Sequence, residues 1–204
     1  MRTDIPADRH GSFARAVKAL VLPRPIAWVS TLSAAGVDNL APHSFFTVAS
    51  TSPTIVQFVS TGEKDSLRNV RETGEFVVNL APAHLVEQVN ATGTDYPAEV
   101  SEFDAVGLTR EPSRTVAAPR VAESPAAVEC RLHREPLRIG DGFLVFGEVT
   151  HVAVAEEAMD GRGPLATALR PLARLGYDEW AELGPVRSVR RVPYREADPE
   201  ADLP

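Results

Sequence analysis

The sequence predicts a mainly β fold, a barrel of short strands with a few short helices at its edges, and three observations predict it. Residues 27–33, 45–49, 54–60 and 75–80 are rich in Val, Ile, Phe and Thr and bounded by turn residues. Such runs suit a pleated, half-buried surface and are too short and too β-branched for helices. Residues 126–139 and 143–155 form two longer runs joined by Gly140-Asp141-Gly142, a hairpin signal. In the second, Val145, Gly147, Val149 and His151 fall on one face and Phe146, Glu148, Thr150 and Val152 on the other, the period of two that a strand imposes. Helical spacing is confined to short stretches, which places the helices at the periphery of the β-structure.

Along the chain, residues 12–20 come first, with Phe13, Ala16, Val17 and Leu20 at helical spacing behind Ser12, a residue that can cap. The four short strands follow, interrupted by residues 65–73, where Leu67 and Val70 lie three apart and Gly74 supplies a helix stop. Residues 83–91, 98–103 and 165–172 are shorter helical candidates. After Gly184-Pro185 come Arg187, Arg190, Arg191 and Arg195, then Glu196, Asp198, Glu200 and Asp202, an arm followed by a frayed acidic tail. The expected organisation is one domain over residues 1–184, with the arm and tail at 185–204. A chain of 204 residues is too short for two ordinary domains and buries enough surface to need no disulfide.

Composition excludes several functions. With 21 Lys plus Arg against 28 Asp plus Glu, the net charge of -7 offers no field to collect nucleic acid. Cys130 is the single cysteine, which rules out an intramolecular disulfide and any multi-cysteine metal site. It reads as a buried apolar thiol. His10, His43, His84, His133 and His151 show no metal-ligand spacing, so no metal is expected. The first residues contain an early acid and no apolar signal core, and the expectation is a cytoplasmic protein without a membrane segment. The sequence has neither a Gly-x-Gly-x-x-Gly after a strand nor a Walker-type loop, which disfavours a Rossmann dehydrogenase.

What remains is a block from Pro25 to Gly62 in which only Asp38 is charged while eleven residues are Ser or Thr. Buried hydroxyls in that number need partners, which barrel-core groups or an uncharged ligand edge could supply. Glu63-Lys64-Asp65-Ser66 follows at a helix start. There the free N–H groups, Lys64 and the Ser66 hydroxyl could hold a phosphate, or Asp65 or Ser66 could simply cap the helix.

Five segments in order carry a resemblance: Pro23 to Thr31, Asn39 to Phe46, Ser52-Pro53, Lys64-Asp65-Ser66 through Asn69, and Gly74 to Leu80. They resemble the flavin reductase-like, flavoredoxin-type branch of the FMN-binding split-barrel proteins. Phe146 to Val152 and Pro171 to Tyr177 continue the likeness, which spans roughly residues 12–183. The resemblance implies a homodimeric split β-barrel with one FMN per subunit near the dimer interface, and an oxidoreductase passing hydride or electrons through it. Ser30 and Thr31 would lie along the isoalloxazine ring, with Ser44, Phe45, Phe46, Ala49 and Ser50 forming more of the ring and ribityl site. Lys64, Asp65 and Ser66 would hold the phosphate end. Asp65, a carboxylate beside a phosphate, is assigned to helix capping or to the ribityl hydroxyls. Asn39 and Arg174 complete the expected cofactor-binding set. Arg174 and Tyr177 have two readings, a flavin or dimer contact and plain structure, and His151 likewise matches the pattern or is a strand histidine.

The sequence departs from the two-component reductases at Gly140-Asp141-Gly142, where those carry Gly-Asp-His with the histidine thought to position nicotinamide. NADH or NADPH is therefore one candidate donor, the acceptor is open, and an electron carrier without its own nicotinamide site is the rival. A pyridoxamine phosphate oxidase-type enzyme is a further rival. It would need a basic cluster beside the ring, and none is visible in the sequence.

Overall fold

In the computed structural model, the β-branched runs form strands close to where they were expected: β1 (Ala27–Leu32), β3 (Phe46–Thr51), β4 (Thr54–Thr61) and β5 (Glu75–Leu80). The structure describes residues 2–8 and 10–192, so the acidic tail from Arg195 onward lies outside the described residues. An additional strand, β2 (Asp38–His43), precedes β3. Its Asp, Asn, Pro and His are poor strand formers, but β2 is an edge strand, where Pro42 deprives no neighbour of a donor. The two long runs become β6 (Ala126–Leu132), β7 (Leu137–Ile139) and β8 (Gly142–Val154), with the expected tight turn pairing Ile139 with Gly142.

These strands form one antiparallel sheet in the order β2-β1-β5-β6-β8-β4-β3, with β7 on β8. Its two edge strands are consecutive in the chain, so the sheet curls into a split barrel. The corner residues Ser44 and Phe45 join them. Val59 of β4 holds the corner: its N–H donates to Phe45 O at 3.0 Å and its carbonyl accepts from His43 Nδ1 at 3.3 Å. A carbonyl can only accept, so Nδ1 carries the proton and Nε2, enclosed and without a partner, keeps the lone pair. Burial against Phe58, 4.6 Å between ring centroids, disfavours the imidazolium and pushes the His43 pKa down to about 4.

The helices are α1 (His10–Leu20), α2 (Asp65–Thr73), α3 (Val86–Ala91), α4 (Glu102–Val106) and α5 (Ala166–Leu169). Leu67 and Val70 of α2 plug the curl, packing with Val29, Phe58, Phe76, Cys130 and Val145. Gly74 ends α2 in the left-handed region at φ 71. On the other side Trp28 and Leu40 pack with Val89 of α3 and Phe103 of α4. The Cys130 thiol is buried and pushed up to about 12, chiefly by burial and then by the charge of Glu129, so it is an inert core group.

The expected alternation along β8 holds as far as Val149 and then breaks. The register shifts between Val149 and His151, so Val149 pairs with Cys130 whereas His151 pairs with Glu129. This bulge places His151 on the opposite face from Val149, correcting the expected pattern. The bulged Thr150 hydroxyl donates to Glu129 O at 3.2 Å. Glu129 itself is fully buried, which alone would raise its pKa. N–H donors of Arg114 and Thr115 and the Thr115 hydroxyl outweigh that and hold it below the usual range.

Two predictions follow from this packing. A Cβ built at Gly147 would stand 2.2 Å from Phe76 Cζ and 2.9 Å from Cys130 Cβ. Gly147→Ala should therefore cost about 1–3 kcal/mol or more by overpacking, read as a lowered denaturation midpoint. For His43, the folded pKa lies below the ordinary 6.5, so the unfolded chain binds the proton more readily. Its contribution to stability is complete above about pH 6.5 and is lost as pH falls toward 4. His43→Gln, which cannot titrate, should flatten that part of the stability-against-pH curve. Parallel curves for the two proteins would contradict the assignment.

Candidate functional site

Two clefts adjoin at the corner, of about 430 and 580 Å³, and share Pro42, His43, Thr61 and Gly93 as walls. The smaller sits at the start of α2. Lys64 is the N-cap residue with extended backbone and no side-chain cap, so the first-turn N–H groups of Asp65, Ser66 and Leu67 have no cap partner. Asn39 Nδ2 donates to Ser66 Oγ at 3.1 Å, which leaves the Ser66 hydroxyl proton free to donate. Thr92, which also lines this cleft, is held in place by Trp28, whose indole N–H donates to its hydroxyl at 2.9 Å.

The electrostatics of this cleft were not visible in the sequence. Lys64 Nζ lies 2.5 Å from Asp95, and Asp65 pairs with Arg68 at 2.6 Å. Asp65 is thus the first helical residue and an ion-pair partner, which removes helix capping from its two expected roles and leaves the ribityl hydroxyls. Glu63, Asp65, Asp95 and Glu102 all line the cleft around the single Lys64. Glu102 is buried, accepts from Leu40 N at 2.8 Å, and has a raised pKa, chiefly through burial and further through Asp65 and Asp38.

The larger cleft is lined by Arg15, Lys18, Arg24 and Arg174 with Asp178, beside Ser44, Phe45, Tyr177 and Trp180. Arg24 Nε donates to Ser44 Oγ at 3.5 Å, and the Arg174 guanidinium stacks 4.5 Å from the Trp180 ring centroid.

Of the residues expected at the cofactor, the structure brings Asn39, Lys64, Asp65 and Ser66 together at one cleft and Ser44, Phe45 and Arg174 at the other. Ser30 and Thr31 reach neither. Both are fully buried: Ser30 Oγ donates to Pro119 O and accepts from Asn79 Nδ2, and Thr31 Oγ1 accepts from Asn69 Nδ2. Protein groups satisfy these two hydroxyls, which removes their need for a ligand edge. Phe46 faces a third, apolar cleft of about 380 Å³ with Pro25, Val78, Leu80 and Leu172. Ala49 and Ser50 stand on the outer edge strand at its register shift and line none of the three. His151 lines none of them either.

Sequence reasoning missed Arg15, Lys18, Arg24, His43, Thr92 and Trp180. For Arg24 a signal existed, a lone charge between Pro23 and Pro25 at the head of an uncharged block. Among the described residues no group of His, Cys, Asp and Glu could hold a metal ion, and no helix is long and apolar enough to cross a membrane.

The flavin reductase like domain matches residues 19–175. An uncharacterized protein of Aquifex aeolicus is 39% identical over 166 residues, which cover 78% of this chain and 84% of that protein. Nitrilotriacetate monooxygenase component B from Bacillus cereus superposes with a TM-score of 0.87 at 28% identity, over 93% of this chain and 99% of that one. The Pseudomonas fluorescens 2-nitrobenzoate 2-nitroreductase NbaA does so with 0.87 at 27%, over 96% and 100%. Curled sheet, corner groove and matched span agree, and the chain belongs to the flavin reductase-like split-barrel family.

Proposed function

We propose that the protein is an FMN-dependent oxidoreductase, a homodimer with one flavin per subunit, taking hydride or electrons from NADH or NADPH. The observation that carries this reading is the continuous trench at the barrel corner, with an uncapped helix start at one end and exposed rings at the other. The residues present fit a flavin mononucleotide. Lys64, Ser66 and the first-turn amides of α2 offer donors to one phosphate, Asn39 sets the Ser66 hydroxyl, and Ser44 and Phe45 flank the wider part that a ring needs. When bound, the flavin supplies one- and two-electron chemistry, and the protein supplies binding, orientation and field. His43, neutral above its depressed pKa, adds no positive charge to the wall that both clefts share, and its unprotonated Nε2 stays enclosed.

A second reading, an electron carrier without a nicotinamide site, is favoured by one feature. The turn before β8 is closed by the pair Ile139 and Gly142 and presents no side chain at the position where other reductases carry histidine. Steady-state oxidation of NADH and NADPH separates the two. For the dimer, support comes from α1, whose Phe13 and Val17 are 39% and 43% exposed, and from the uncovered apolar cleft around Phe46.

The purified protein is expected to be yellow and to release FMN rather than FAD on denaturation. A colourless protein that takes up no FMN would overturn the reading. Lys64 tests the phosphate end. A charge-assisted bond to phosphate is worth about 1.5–3 kcal/mol, and giving up the exposed Asp95 pair costs at most about 1. Lys64→Ala should weaken FMN binding roughly tenfold at 1.4 kcal/mol per decade and leave riboflavin binding unchanged. Asp95→Asn, which frees Lys64, should strengthen FMN binding. Equal losses for both flavins would show that Lys64 acts through the fold. Light scattering should report twice the 22.0 kDa chain mass, and a monomer with flavin bound would contradict the dimer.

A further inference from the structure

We propose that the larger cleft is an oxyanion site of its own, where Arg15, Lys18 and Arg174, backed by buried Arg24, hold the carboxylate or phosphate of a small flat aromatic ligand. It rests on the flavin reading only in treating this ligand as second to the flavin.

Charge is the first support. Arg24–Pro25 and Ala173–Arg174 form a short antiparallel pair in which Arg24 stands directly opposite Arg174. Like charges in that position destabilise a ladder unless something neutralises them. Arg24 is 8% exposed and spends its donors on neutral acceptors: the carbonyls of Lys18 and Val21 at the end of α1, Leu175 O at 2.5 Å, and the Ser44 hydroxyl. Among the described residues no carboxylate lies within 4.0 Å of Arg15, Lys18 or Arg24. Among the described residues Arg174 has only the fully exposed carboxylate of Asp178, at 3.4 Å. Burial and then the charge of Arg174 lower the Arg24 pKa, as expected where the countercharge is missing. In a chain of net charge -7 such a cluster is not background. It is also opposite in sign to the neighbouring cleft, where carboxylates outnumber Lys64.

Shape is the second support. Tyr177 lines the same cleft at 75% exposure, an apolar face left for a ring to cover beside the part that Ser44 and Phe45 offer the flavin. Tyr177 holds φ at 53, uncommon for a residue with a side chain, and its carbonyl accepts from Arg174 Nη2 at 2.6 Å. One local conformation therefore orients both the guanidinium and the ring. Arg24 acts as a positioning residue, tying α1 to the segment that carries Arg174.

The test is calorimetry on the full chain, with and without saturating FMN. The protein is titrated with benzoate, with pyridoxine 5′-phosphate and with inorganic phosphate, and compared with Arg15→Glu/Lys18→Glu. One ring-bearing anion should bind about tenfold or more tighter than inorganic phosphate, and which one binds identifies the carboxylate or phosphate class. The double reversal should weaken that binding about tenfold or more, with FMN affinity changed less than about twofold. Arg15→Gln/Lys18→Gln provides the same comparison should the reversal lower the melting temperature. Failure of both ring-bearing anions to bind, or binding indifferent to either double variant, overturns the site. Loss of FMN binding in the variants also overturns it, by making the cluster the flavin's own phosphate site. Anion binding in a protein that takes up no FMN would sink the flavin reading and leave this site standing.

Discussion

The constraint on which the structure depends is that the two edges of the sheet are consecutive in the chain. β2 ends at His43 and β3 begins at Phe46, so two residues must span from one edge to the other. A flat sheet of seven strands cannot do that; a curled one can. The curl needs room on its concave side, which Gly147 provides by letting the Phe76 ring lie against the β8 backbone. It also needs the corner held, which Val59 does with both of its backbone groups. Once the corner is fixed there, His43, Ser44 and Phe45 stand between the start of α2 and the ribbon of Arg24 and Arg174. The site is thus a by-product of closure.

Much of this was legible in the sequence, and the exceptions share a physical cause. The runs at β1, β3, β4 and β5, the hairpin before β8 and helix α2 all announce themselves through local chemistry: β-branched side chains, paired glycines, a glycine stop. β2 does not, because an edge strand can carry Asp, Asn and Pro that a central strand would reject. The bulge at Thr150 does not either, since one extra residue leaves the alternation intact to the eye while reversing the faces beyond it. Ser30 and Thr31 fit their motif positions, yet whether a buried hydroxyl meets a ligand or an asparagine depends on Asn79 and Asn69, far along the chain.

The same distance problem governs charge. From sequence, Lys64 stands out as one of two lysines at a helix start, and its field looks positive. Folding brings Asp95 and Glu102 to the same cleft from segments with no local relation to it. Conversely Arg24 and Arg174 are 150 positions apart and meet only because two-residue strands pair them. The trench therefore has an acidic-lined end and a basic end, although the chain as a whole is acidic. An anionic group at the acidic-lined end would have to be held by local donors, Lys64, the Ser66 hydroxyl and the first-turn amides of α2, and it is the direction of those donors that orients a ligand there.

Orientation is worth something only if the walls do not move, and here the polar interior matters. Asn79 donates to Trp28 O and Ser30 Oγ and accepts from Val121 N, so one side chain ties β5, β1 and the segment before β6 together. Glu129 does the same for residues 114 and 115. Trp28 reaches from β1 to Thr92 at the end of α3, whose hydroxyl in turn donates to Val89 O, and the adjoining Gly93 then lies so close that a Cβ would come within 3.2 Å of Asn90 O. Breaking any one of these would leave a buried group unpaired at about 1–3 kcal/mol. The hydroxyl-rich block is thus a scaffold more than a ligand wall. Its bonds are made among protein groups and need no ligand, so the groove keeps its shape and the geometry in which a ligand is held is set in advance.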